Sequence, residues 1–207
     1  MSTLIQVDSV PLIVKGDQIV EIEVNPIGFL GFQKIAAETN SLVPAGGKKW
    51  SIMNKRLRIK AQVRVINTAG VKGVLDDLEI TQLPIAYANK MNTALNSGDG
   101  EPGKIINAGD GVATPILFAL GTAIPVQSNN ETVEIKELEF LATTFGDVEE
   151  VMAETDPLSQ AVALLRSVAK PVGVNESLQR LPDFALERLK LADGFKIIDD
   201  VLPRFLG

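Results

Sequence analysis

The chain runs twice through one order of signals, and this repetition limits the fold more than any other feature. The apolar run Val10 to Val14 leads into the turn signal Lys15-Gly16-Asp17, and Val20, Ile22 and Val24 then alternate with Glu21 and Glu23. A period of two puts apolar side chains on one face and carboxylates on the other, which reads as a β-hairpin. Pro11 has no N–H to give a ladder, so its strand belongs at a sheet edge. Further on, Pro125 stands in a short apolar segment, Ser128-Asn129-Asn130 supplies a turn, and Val133 and Ile135 alternate with Glu134 and Lys136. Three blocks align between the halves. Val20-Glu21-Ile22 matches Val133-Glu134-Ile135. Phe29, Phe32, Ile35, Glu38 and Thr39 match Phe145, Val148, Val151, Glu154 and Thr155. Val74 to Leu95 matches Ala185 to Leu206 without a gap. The order is kept and the offsets differ by only a few residues, which implies an internal duplication. The expected fold class is α+β: two related lobes, each a β-hairpin followed by two to four helices. The expected divisions are 1–95 for the first unit, 96–111 for a Gly/Asp-rich linker and 112–207 for the second unit.

Helix starts carry their own signals. Asn25-Pro26 offers an N-cap and a first-turn proline, predicting a helix from Pro26 to about Thr39 with Phe29, Phe32, Ile35 and Ala36 on one stripe. Asn40 to Lys49, with Pro44, Gly46 and Gly47, reads as a loop. Leu57 to Val65 alternates like a strand, but the second copy has a helix at the matching place, and the segment is read as helix. Between Leu75 and Leu95, Ile80, Leu83, Tyr87, Met91 and Leu95 form a helical stripe, with Pro84 at an entry point. Asn96 to Gly111 is rich in Gly, Asp and Asn and reads as the linker. Thr144 with Asp147 resembles a capping box opening a helix with Phe145, Val148, Val151 and Met152 on one face. Asp156-Pro157 starts a helix over Leu158 to Lys170, and Pro171 to Glu176 is a loop. A terminal helix carries Phe195, Ile198 and Leu202 and ends at Pro203.

The 207 residues contain no histidine and no cysteine, and the net charge is −6. That removes Ser-His-Asp and Cys-His catalysis, His- or Cys-ligated metals and any disulfide framework. Gly98-Asp99-Gly100-Glu101-Pro102-Gly103-Lys104 matches the first seven positions of a phosphate loop, but Ile105 stands where a Mg²⁺-holding Ser or Thr is needed. Asp99, Glu101 and Asp110 do not have the spacing of a calcium loop. The neighbours Glu149-Glu150 and Asp199-Asp200 point about 100° apart on a helix and make no acid/base dyad. The basic cluster Lys55, Arg56, Arg58, Lys60 and Arg64 has no aromatic within it for base stacking, and the acidic chain lacks a basic field. No catalytic, cofactor-binding or metal-binding residue is expected, and neither nucleic acid nor membrane is an expected partner. The first ten residues show no signal-peptide pattern.

Glu131 to Leu138, Thr144-Phe145-Gly146-Asp147-Val148-Glu149-Glu150, the helix Ala161 to Ala169, Leu181-Pro182, Leu186 to Asp193 and Phe205-Leu206-Gly207 carry a family likeness. Together they resemble the tail assembly chaperones of long-tailed and contractile-tailed bacteriophages. The likeness spans about 123–207, and 10–95 more faintly through the duplication. The family has one unit where this chain has two, and Lys190 and Glu79 stand where a capping Asp is expected. The resemblance implies a non-enzymatic protein of the host cytoplasm that binds the tape-measure protein, or another tail protein, during tail assembly. The alternative is a structural component of the virion tail. On the terminal helix, Ile197 and Val201 widen the stripe of Phe195, Ile198 and Leu202 beyond what one core-facing side requires. These five residues are the expected protein-binding face, for a client or for a second copy in a homo-oligomer; the alternative is that the first lobe covers them.

Overall fold

The computed structural model describes residues 2–8, 10–97, 100–128, 131–174 and 180–206. The fold is α+β, with two antiparallel sheets each followed by helices. Two compact units emerge, Met1–Ile27 with Lys34–Gly98, and Gly28–Gln33 with Asp99–Gly207.

The first unit contains β1 (Thr3–Gln6), β2 (Leu12–Val14), β3 (Asp17–Val24), the greater part of α1 (Phe29–Leu42), α2 (Gly47–Gln62), β4 (Val63–Asn67), β5 (Lys72–Gly73), α3 (Asp77–Gln82) and α4 (Ile85–Ser97). β3 is the spine. β1 and β2 both pair with it, β4 pairs on its other side, and β5 pairs with β4. The β2–β3 hairpin closes from Val14 to Asp17 with positive φ at both Lys15 (53°) and Gly16 (88°). Positive φ at both central residues is what a two-residue hairpin matching strand twist requires. Ile19, Ile22 and Val24 turn one face of β3 into the core, against Ile59 of α2 and Tyr87, Met91 and Leu95 of α4.

The second unit contains β6 (Lys104–Ala108), β7 (Ile116–Ser128), β8 (Glu131–Phe140), α5 (Phe145–Ala153), α6 (Pro157–Ser167), β9 (Ala169–Pro171), α7 (Asp183–Arg188), α8 (Leu191–Lys196), a π-helical turn (Ile197–Val201) and α9 (Pro203–Leu206). The sheet order is β6-β7-β8-β9. Ser128 pairs with Glu131, while the expected turn residues Asn129 and Asn130 lie outside the described residues.

The two lobes share registers as well as element order. Val24 pairs with Thr3 and Val63, as Phe140 pairs with Ile116 and Ala169. The row Leu4–Glu23–Arg64 is matched by Leu117–Glu139–Lys170. β1 and β2 together correspond to the two stretches of β7 that pair on either side of an irregularity between Ala119 and Ile124. These registers correct the aligned strand block, because Ile22 corresponds to Leu138 and not to Ile135. They also correct the last block. α3 and α7 each have six residues and end at a leucine of matching conformation, Leu83 (φ −56°, ψ 131°) and Leu189 (φ −58°, ψ 128°). The next helices start at Ile85 and Leu191, so Tyr87, Met91 and Leu95 correspond to Asp193, Ile197 and Val201. All six of these side chains are buried.

Several expected boundaries move. α1 begins at Phe29 and not at Pro26, because the Asn25 side chain donates to the Gln62 carbonyl (3.3 Å) instead of capping a helix. The loop expected over 40–49 shrinks, as α1 reaches Leu42 and α2 starts at Gly47. Leu57 to Val65 is helix up to Gln62 and strand from Val63, and Leu158 to Lys170 likewise passes from α6 into β9. The stripe between Leu75 and Leu95 is two helices parted by Leu83-Pro84. Pro203 opens α9 rather than ending the chain's helical course. The linker expected over 96–111 instead contains β6, paired with β7. Gly103 is there for close approach: a Cβ on it would overlap the Phe118 ring and the Ala119 carbonyl. Of the expected loop Pro171 to Glu176, Pro171 is in β9, and residues 175–176 lie outside the described residues.

Candidate protein-binding surface

The five residues expected on the binding face do not lie on one surface. Ile197, Val201 and Leu202 are buried, Ile198 is half-buried, and only Phe195, at 40% exposure, reaches solvent. The cause is the π turn, where Leu202 N–H bonds to Ile197 O at 2.9 Å. A π turn holds more residues per turn than 3.6, so positions four and five apart share a face. Ile197, Val201 and Leu202 therefore all turn inward. Phe195 makes edge-to-face contacts with Phe32 (5.4 Å, 76°) and Phe29 (6.2 Å, 84°), all within the second unit.

Exposed apolar side chains gather on α5. The helix begins where Asp147 accepts hydrogen bonds from the N–H groups of Thr143 and Thr144, both at 2.8 Å. Those backbone bonds hold the Asp147 carboxyl below the usual carboxylate range. The expected face of Phe145, Val148, Val151 and Met152 splits. Val151 is fully buried, whereas Phe145 (68% exposed) and Met152 (57%) point out. Seven residues make nearly two full turns, so Phe145 and Met152 lie on one outward stripe.

On another side of α5 is a cleft of about 270 Å³, between α5 and α6 and lined by Gln33, Glu150, Ala153, Glu154, Ser159, Val162, Ala163 and Arg166. Asp156 caps α6 by accepting from Ser159 N–H (3.0 Å), and Gln33 Nε2 donates to Ser159 Oγ (3.3 Å), which fixes one wall. Glu150 and Glu154 are one turn apart on the other wall, and neither is in an ion pair among the described residues. The outward stripe itself is flanked by exposed Glu149, four residues after Phe145, and this pattern on α5 was not recognised in the sequence. Its signal is the seven-residue spacing of Phe145 and Met152 with Glu149 between them.

The other sequence candidates resolve into structure. Arg58 donates to Leu95 O (2.6 Å) and Asn96 Oδ1 (3.1 Å) at the C-terminal end of α4, where a cation meets the negative end of the helix dipole. Lys60 pairs with Asp77 (2.7 Å), Arg56 donates to Thr81 Oγ1 (3.2 Å), and Arg64 donates to Val63 O (2.7 Å). Lys104, the expected phosphate-loop lysine, opens a strand where that motif needs a helix, and Gly98 and Asp99 lie outside the described residues. Asp110 Oδ1 accepts from the N–H groups of Val112, Ala113 and Thr114 at 2.8–3.0 Å, so this carboxylate shapes its own loop. Among the described residues no cluster of three His, Cys, Asp or Glu could hold a metal, and no helix is long and apolar enough to cross a membrane. No protein-family model, curated protein or solved structure matches the chain.

Proposed function

We propose that this chain is a non-enzymatic protein-binding protein that shelters an amphipathic helical client, as the tail assembly chaperones that its second half resembles shelter the tape-measure protein. The observation behind this reading is the outward Phe145/Met152 stripe, flanked by exposed Glu149, four residues after Phe145 and three before Met152. A client helix with apolar residues at the same spacing, flanked by Lys or Arg, would cover the stripe and set a cation against Glu149. The acidic balance of the chain keeps such a complex in solution. The shared registers of the two lobes are taken as the product of an internal duplication, with the host cytoplasm as the place of action.

The test is co-expression with a candidate tape-measure protein. The wild type is expected to co-purify with it and keep it soluble. The Phe145→Ser/Met152→Ser double variant is expected to lose it while keeping its own thermal transition. A double variant that holds the client as well as wild type would refute the surface. Stoichiometric recovery of the chain from purified virions would make it a structural tail component instead.

A further inference from the structure

The two lobes differ at one sheet edge. In the second, the stretch Ile116–Ala119 of β7 is covered on its outer side by β6, antiparallel, with Asn107 opposite Leu117 and Lys104 opposite Ala119. The corresponding stretch of the first lobe is β1, and among the described strands it pairs with β3 alone. Val7 N–H bonds to Val20 O (2.9 Å), so by the alternation of an antiparallel ladder Thr3, Ile5 and Val7 direct their backbone groups to β3. Leu4 and Gln6 direct theirs outward. A groove of about 440 Å³ runs along this edge between β1 and α4, with Ile5, Thr93 and Ala94 in its walls. Where the second lobe has a strand, the first has an open strand edge and a groove.

The β6 sequence says what fits. Lys104-Ile105-Ile106-Asn107-Ala108 has two aliphatic residues, a carboxamide and a small aliphatic residue in a row, and Thr3-Leu4-Ile5-Gln6-Val7 has the same order. A second copy of β1 therefore has the chemistry of the strand that covers the matching edge. From this we propose that β1 joins two copies of the chain through an antiparallel β1–β1 ladder about a two-fold axis. Leu4 of each copy pairs with Gln6 of the other, as Leu117 pairs with Asn107, and the two Ile5 residues face each other at the axis. This register keeps the covered faces of both sheets on one side, because the outward-facing residues oppose one another. It also removes an exposed edge, which sheets otherwise leave as a liability.

Sedimentation of the intact chain tests this. The wild type is expected to be a dimer. Leu4→Pro deletes one outward N–H per copy, leaves the β1–β3 ladder intact, and follows a Thr3 that is already extended. Loss of those two ladder bonds is expected to weaken dimerisation about 30-fold without moving the thermal transition. Ile5→Cys, in a chain with no other cysteine, is expected to give a disulfide-linked dimer under mild oxidation. A wild type that sediments as a monomer at its highest soluble concentration overturns the proposal. So does a folded Leu4→Pro variant that dimerises like wild type, or a dimer in which Ile5→Cys does not cross-link.

Discussion

Asp193 holds the place in the second lobe that Tyr87 holds in the first, and both tie the break in the outer hairpin strand to a helix. The Tyr87 hydroxyl donates to Val10 O (2.7 Å) and accepts from Val10 N–H (3.2 Å). Asp193 Oδ1 accepts from Gly103 N–H (2.6 Å) and Gly121 N–H (2.9 Å), while its buried Oδ2 has no hydrogen-bond partner among the described residues. Burial pushes the Asp193 carboxyl above its ordinary value of 3.8, against the pull of the backbone N–H groups. The folded chain then binds this proton more tightly than the unfolded chain does. The resulting stability is fully present below pH 3.8 and is lost as pH rises through the raised value. Asp110 has the opposite sign: backbone hydrogen bonds lower it to about 2, so its contribution is present above 3.8 and fades as pH falls towards 2. Asp193→Asn removes the first dependence alone. Urea midpoints measured across pH should fall less steeply for this variant than for wild type above pH 3.8. Parallel slopes would mean that the Asp193 carboxyl is not raised.

Elements whose signals are local were legible in the sequence, and those settled by distant partners were not. The Asp156-Pro157 start and the Asp147 cap need only the first helical turn, and both are found. Asn25-Pro26 carries the same cap signal and fails, because Gln62 Nε2 donates to Asn25 O (2.9 Å) and the Asn25 side chain is drawn to Gln62 O. The Gly-rich 96–111 stretch looked like a linker because composition cannot distinguish freedom from close approach, and Gly103 and Gly109 serve the latter. The terminal helix misled for a third reason: its stripe was counted at 3.6 residues per turn, and the π turn alters the count at Ile197. Val201 thus passes from a suspected interface to core. Val201→Asp would bury an unpaired carboxyl at a site of 0% exposure, at a cost of several kcal/mol even if the group is neutral. Loss of the thermal transition by circular dichroism is expected. A soluble variant with wild-type melting would return Val201 to the surface.

At the scale of the molecule, the division between the compact units does not coincide with the division expected from the order of signals in the sequence. Residues 28–33, expected in the first unit, belong with the second compact unit. Phe29 N–H donates to Leu189 O (2.8 Å), and the Phe29 ring fills the space over Gly194, where a Cβ would overlap it. Gly28 lies so close to the Glu187 carbonyl that a side chain there would require the backbone to move. Phe29, Leu30 and Phe32 are all buried, and burying each contributes about 1.5–3 kcal/mol. Their sum is comparable to the ~5–15 kcal/mol that holds a whole domain folded. A fragment of residues 99–207, which lacks residues 28–33, should therefore lack a cooperative thermal transition and bind a dye for exposed apolar surface. Adding a peptide of residues 25–42 should restore the transition in proportion to its concentration, because a segment that binds only the folded form stabilises it by mass action. If 99–207 melts cooperatively by itself, with no response to the peptide, residues 28–33 are an accessory to that unit and not part of its core.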